Sequence, residues 1–194
     1  MLLSPSDFDQ SIADAVVDAR TDAMTTVAQI VTVTGNTLFL VAVATVAVLV
    51  LAVRHAYPEA VLVAAGSAIG YALMVGLKHV VARPRPPVAD RLIDIDTFSF
   101  PSGHAMMSMI VYCLLGAALY RTVPWVRAHA AVLVLAPLWS VAVGCTRVYL
   151  GVHWTTDVIA GWLIGAAWVV LCLWLCRRWA PRATAARPAG RIEP

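Results

Sequence analysis

The chain has 194 residues, 61% hydrophobic and 13% charged, with a mean hydropathy of +0.81 and a formal net charge of +3. Soluble domains carry about 25% charged residues, so a soluble globular enzyme is excluded, and no nucleic-acid partner is expected. The apolar residues fall in blocks of bilayer-spanning length, which predicts one all-α, integral membrane helical bundle.

The first residues, MLLSPSDFDQ, have no basic n-region and meet aspartates at once, unlike a secretory signal peptide. Residues 7–34 have the period of an amphipathic helix. Phe8, Ile12, Val16, Ala19, Ala23, Val27 and Ile30 share one face, and Asp14, Asp18 and Asp22 mark the other. Its first half is too charged to span and is expected to lie in the membrane interface. Gly35-Asn36 ends this N-terminal unit, 1–36.

About five transmembrane helices follow, within a membrane-embedded domain over residues 37–176. The first, Thr37–Val53, is 17 residues long and spans a bilayer only barely, at roughly 25 Å. The second runs from Pro58 to Ala82 and is stopped by Arg83-Pro84-Arg85-Pro86-Pro87. A polar loop, 83–100, leads to a third span from Pro101-Ser102 to Arg121. The fourth covers Trp125–Arg147 and the fifth Trp154–Cys176. Residues 177–194 form a basic tail expected to be disordered. The four cysteines all fall in apolar segments and are read as bundle packing. No Cys or His spacing suggests a metal, and no cofactor is expected.

Three polar motifs sit at the ends of these spans, where charge is costly. They are Lys78-x6-Arg85-Pro86, Pro101-Ser102-Gly103-His104 and Arg147-x5-His153-x3-Asp157. With alternating spans, Lys78, His104, Arg147 and His153 all fall on one side of the membrane. His153 and Asp157, four apart, are predicted to share a helix face, where the carboxylate fixes the imidazole tautomer and leaves the other nitrogen free to attack. Ser102 reads as a helix N-cap, and Gly103 permits close backbone approach to an anion. His104 is placed to act as general acid. Lys78, Arg85 and Arg147 form the predicted phosphate clamp. Arg83 and Arg91 read as interfacial snorkelling cations and stay outside the predicted site. The tryptophans read as belt anchors, save Trp154 beside His153.

The loop charges set an orientation. The side opposite the motifs holds eight arginines against two glutamates, and the motif side six cations against nine aspartates. The positive-inside rule then puts the C-terminus in the cytoplasm and the site on the extracytoplasmic face.

In this order and spacing the three motifs resemble the type 2 phosphatidic acid phosphatase family, whose site pattern is shared with soluble vanadium haloperoxidases. One position departs from the family pattern: Thr146 stands where the third motif usually has Ser. The resemblance implies that His153 attacks phosphorus, Asp157 orients it and His104 protonates the leaving oxygen. It further implies that Lys78, Arg85, Ser102, Gly103 and Arg147 hold the phosphoryl oxygens, without a metal. The expected substrate is a lipid phosphate: polyprenyl (undecaprenyl) pyrophosphate, phosphatidylglycerol phosphate or phosphatidic acid. The expected place is a bacterial plasma membrane. A phosphotransferase that passes the phosphoryl group to an alcohol is the alternative, and a non-catalytic binder or transporter of lipid phosphate is a third reading.

Overall fold

The computed structural model describes residues 4–179, and no strand occurs among them. Helices α1 (Asp7–Asp18) and α2 (Asp22–Val33) precede α3 (Thr37–Val53) and α4 (Tyr57–Val81). After the loop come α5 (Gly103–Thr122), the short α6 (Pro124–Ala128), α7 (Leu135–Tyr149) and α8 (Thr155–Trp179).

The single helix expected over 7–34 is two helices. Thr21 caps α2 by accepting from the Met24 amide at 3.3 Å, and Arg20 turns aside to donate to the Tyr149 carbonyl at 2.8 Å. A local side-chain acceptor competes with helix continuation here. At the other end of α2, Asn36 caps α3 through the Leu38 amide at 2.9 Å. The pair α2 and α3 is bent by 43° and passes as one broken crossing. Four further helices are long and apolar enough to cross: Tyr57–Val81, Gly103–Thr122, Ala130–Tyr149 and Thr155–Arg178. The chain is a multi-pass membrane protein.

The fourth span differs from its expected form. Residues after Trp125 make the short α6, then a 3-10 turn over Ala130–Val134, and only then α7. Pro124 starts α6 and the chain breaks at His129. Helix α8 runs on through residues 177–179, the expected start of the tail, and the rest of that expected tail, 180–194, lies outside the described residues.

Helix α5 is the centre of the bundle, with Met106, Ile110, Val111 and Leu114 fully enclosed. Gly161 and Gly165, four apart on α8, let that helix press against α5. A Cβ on Gly161 would stand 2.9 Å from the Ser102 carbonyl oxygen, and one on Gly165 2.8 Å from that of Met106. Small residues at this spacing allow such approach where lipid gives no hydrophobic drive between helices. Outward residues such as Val53, Leu163 and Val170 are apolar and exposed, as bilayer contact demands.

Candidate active site

The α4 C-terminus, the α5 N-terminus, the α7 C-terminus and the α8 N-terminus meet at one end of the bundle. They enclose a cavity of about 510 Å³ lined in part by Lys78, Arg85, Gly103, His104, Arg147 and His153. The two histidines, 49 residues apart in the chain, therefore face one space.

His153 lies just ahead of α8 rather than on its surface. The turn that carries it closes through the Val152 amide, which donates to the Arg147 carbonyl at 3.2 Å. Gly151 makes that turn with φ +71, a conformation that disfavours a side chain, and a Cβ there would run into the Asp90 carbonyl. The juxtaposition of His153 and Asp157 thus comes from a turn leading into a helix. Asp157 folds back to accept from the Trp154 amide at 3.0 Å, and its own amide donates to the Trp154 carbonyl at 3.1 Å.

Arg85 fixes the state of the imidazole. Its Nη1 lies 3.0 Å from His153 Nε2 and also donates to the Val152 carbonyl. A guanidinium only donates, so Nε2 holds a lone pair and the ring proton sits on Nδ1. Nδ1 faces Asp157 Oδ2 at 3.6 Å, a long contact. Ser99 bridges it: its hydroxyl is 3.5 Å from Nδ1 and donates to Oδ2. Burial pushes the His153 pKa down to about 3, helped by the nearby positive Arg85, Arg147 and Lys78 and opposed by Asp157. Arg85, half-buried and close to Arg91, is itself lowered to about 10. The ring is neutral at ordinary pH.

The cations divide into two kinds. Arg83 is buried between two carboxylates, 2.8 Å from Asp9 Oδ2 and 2.5 Å from Asp157 Oδ1. The reading of Arg83 as a snorkelling cation is therefore replaced. It holds the site together from behind, with Trp154 under it at 6.0 Å. Lys78, Arg85 and Arg147 have no carboxylate within ion-pair distance among the described residues. Lys78 donates to the Phe98 carbonyl at 2.6 Å, and Arg147 donates to Thr32 Oγ1 at 2.7 Å. Arg147 is 1% exposed, and its Nε has no partner among the described residues. Arg91 stays apart, bonded to the Pro86 carbonyl.

Ser102 is also buried, but its hydroxyl does not cap α5 and has no partner among the described residues. Its amide instead donates to the Asp157 carbonyl at 3.1 Å, tying the start of α5 to the first turn of α8. A Cβ on Gly103 would meet only Met74 and Lys78, at 3.5 Å or more, so no protein atom demands glycine there. Thr146 bonds the Val143 carbonyl of its own helix at 2.6 Å.

Sequence reasoning missed Ser99, Asp9 and Thr156. Asp9 had a visible cue, the Ser6-x-x-Asp9 spacing of a reciprocal cap, which forms. Ser99 had none, because a loop hydroxyl announces no partner.

The sequence model of the PAP2 superfamily matches residues 59–181. Phosphatidylglycerophosphatase B of Bacillus subtilis (strain 168) is 41% identical over 90 residues, which make 46% of this chain and 44% of that protein. The undecaprenyl-diphosphatase of Sulfolobus acidocaldarius is 40% identical over 72 residues, 37% of this chain and 30% of that one. The chain thus spans less than half the length of these relatives. A crystal structure of a transmembrane PAP2-type phosphatidylglycerolphosphate phosphatase from Bacillus subtilis superposes with a TM-score of 0.84 at 29% identity. That match covers 90% of this chain and 87% of the other.

Proposed function

The chain belongs to the PAP2 superfamily, and from that premise we propose that it is a metal-independent lipid phosphate phosphatase working through a phosphohistidine. One observation carries the reading: three cations without carboxylate partners surround a cavity that two imidazoles share. A buried unpaired charge costs several kcal/mol. Arg147 is such a charge, and a phosphoryl group in the cavity it lines would neutralise it.

The steps follow from the atoms present. A phosphoryl group entering the cavity draws Arg85 Nη1 from His153 Nε2 and frees the lone pair for in-line attack on phosphorus. Asp157, with Ser99, holds the Nδ1 proton and stabilises the imidazolium as it forms. His104 gives a proton to the leaving oxygen, and the lipid alcohol or phosphate departs. Water then attacks the phosphohistidine, with His104 as base, and inorganic phosphate leaves. Lys78, Arg85 and Arg147 neutralise charge on the equatorial oxygens, with Ser102 and the Gly103 backbone beside them.

The substrate is a lipid phosphate of the outer leaflet: undecaprenyl pyrophosphate, phosphatidylglycerol phosphate or phosphatidic acid. The names of the two relatives support the first two. The loop charges favour an extracytoplasmic site with the C-terminus in the cytoplasm of a bacterium. Purified protein in detergent is expected to release phosphate from at least one of these three lipids. His153→Ala is expected to release none, and full release by that variant would remove the nucleophile.

A further inference from the structure

Asp9 lies on α1, outside the residues 59–181 that the family model matches, yet it is 1% exposed. Its carboxylate is bound from three sides. Oδ2 is 2.8 Å from Arg83 Nη2, Oδ1 accepts from the Thr156 amide at 2.9 Å, and the Ser6 hydroxyl lies 3.1 Å from Oδ2. The Thr156 hydroxyl, 2.7 Å from Asp9 Oδ2, also accepts from Arg83 Nη1 at 2.8 Å. Burial raises the Asp9 carboxyl, but the Thr156 amide, Arg83 and the Thr156 hydroxyl outweigh it and hold it below the usual carboxylate value.

The division of Arg83 matters most. Its Nη2 goes to Asp9 and its Nη1 to Asp157 Oδ1. Each carboxylate therefore receives a single prong. Asp157 keeps Oδ2 for Ser99, for the Trp154 amide and for the side facing His153 Nδ1. A guanidinium with both prongs free prefers the two-pronged grip on one carboxylate. Resting on the roles proposed for His153 and Asp157, we infer that Asp9 is a positioning residue for phosphoryl transfer. By occupying one prong of Arg83 it keeps Asp157 Oδ2 aimed at the nucleophile. The N-terminal helix thereby contributes to a site whose reacting groups all lie in α4, α5, α7, α8 and their loops.

The test compares wild type with Asp9→Asn, Arg83→Met and the double variant, in detergent, with dioctanoyl phosphatidic acid, dioctanoyl phosphatidylglycerol phosphate and a short-chain polyprenyl pyrophosphate as probes. Asn keeps an acceptor for the Thr156 amide but removes the charged partner of Arg83 Nη2, which retains the long contact to the Ser4 carbonyl at 3.4 Å. On whichever probe is turned over, Asp9→Asn lowers kcat about tenfold with KM within about twofold. In the Arg83→Met background the same change costs nothing further. A kcat equal to wild type, or the same loss in both backgrounds, would overturn the inference.

A second readout needs no turnover: the His153 ring Nδ1–H resonance, assigned by its loss in His153→Gln, shifts in Asp9→Asn. An unchanged resonance would also overturn the inference, whereas failure of the wild type on all three probes would overturn only the enzyme reading. If Asp9→Asn does not fold, the double variant decides: it matches or exceeds Arg83→Met, and a further tenfold loss refutes the coupling.

Discussion

Gly161→Ala tests whether the contact between α5 and α8 sets the geometry of the site. The added Cβ would lie 2.9 Å from the Ser102 carbonyl oxygen, 3.1 Å from Ala105 Cβ and 3.2 Å from the Met106 amide nitrogen. Two of these are backbone atoms, so no side chain can swing aside to make room. Restoring ordinary contact moves the helices apart by about half an ångström, at a cost of roughly 1–3 kcal/mol. The movement falls on the Ser102 amide bond to the Asp157 carbonyl, now 3.1 Å, and stretches it past the range of a hydrogen bond. His104 then shifts relative to His153. A misplacement approaching 1 Å costs up to about a hundredfold in rate, so half of that predicts about a tenfold loss. Thermal unfolding in detergent and phosphate release over a range of lipid concentrations measure the two effects. A variant with the melting temperature and kcat of wild type would refute the claim that this crossing positions the imidazoles.

Gly103→Ala predicts the opposite pattern, because its methyl meets Met74 and Lys78 only at ordinary distances. Melting is unchanged, while kcat/KM falls about tenfold or more as the methyl blocks the approach of an oxygen to the backbone. Arg85→Lys loses the fork that holds the Thr97 carbonyl, the Thr97 hydroxyl and His153 Nε2 together. A single ammonium cannot replace it, and a drop of about a hundredfold in kcat/KM is expected by steady-state assay. Stability follows the sign of the His153 shift. Its folded pKa, about 3, lies below its unfolded value of 6.5, so stability is full above about pH 6.5 and declines as pH falls toward 3. The lowered Asp9 carboxyl acts in the same direction. Melting temperature should fall below about pH 6, less steeply in His153→Gln; a rise on acidification would contradict the burial of a neutral ring.

How far the sequence could be read depended on whether a residue's neighbours were local. Span blocks were legible because each needs only its own apolar run, and the three motifs because their positions at span ends converge by alternation. Arg83 was misread for a physical reason. In sequence it is one of two arginines flanking Pro84, and only the fold decides which turns inward to two carboxylates and which faces the cavity. Asp9 drew no reading on a helix whose polar face was marked by Asp14, Asp18 and Asp22; its partner is 74 residues away. The break at residues 19–21 was hidden because apolar spacing continues across it, while the Thr21 cap and the Arg20 bond to Tyr149 act against continuation.

The helix directions explain why an anion would be held here. The ends of α4 and α7 at the cavity are C-terminal, where the helix dipole is negative, and they carry Lys78 and Arg147 in their last turns. Each such placement stabilises a cation by roughly 0.3–1 kcal/mol. The ends of α5 and α8 are N-terminal; Gly103 of α5 lines the cavity, while the Trp154 and Thr156 amides at the α8 end donate to Asp157 and Asp9. Two negative helix ends thus hold cations in place, and the N-terminus of α5 adds to their field. Asp157 pairs with Arg83 through Oδ1 and faces His153 through Oδ2. Phosphate charge entering the space meets a field whose sign is set by Lys78, Arg85 and Arg147, which outnumber Asp96 in the cavity lining.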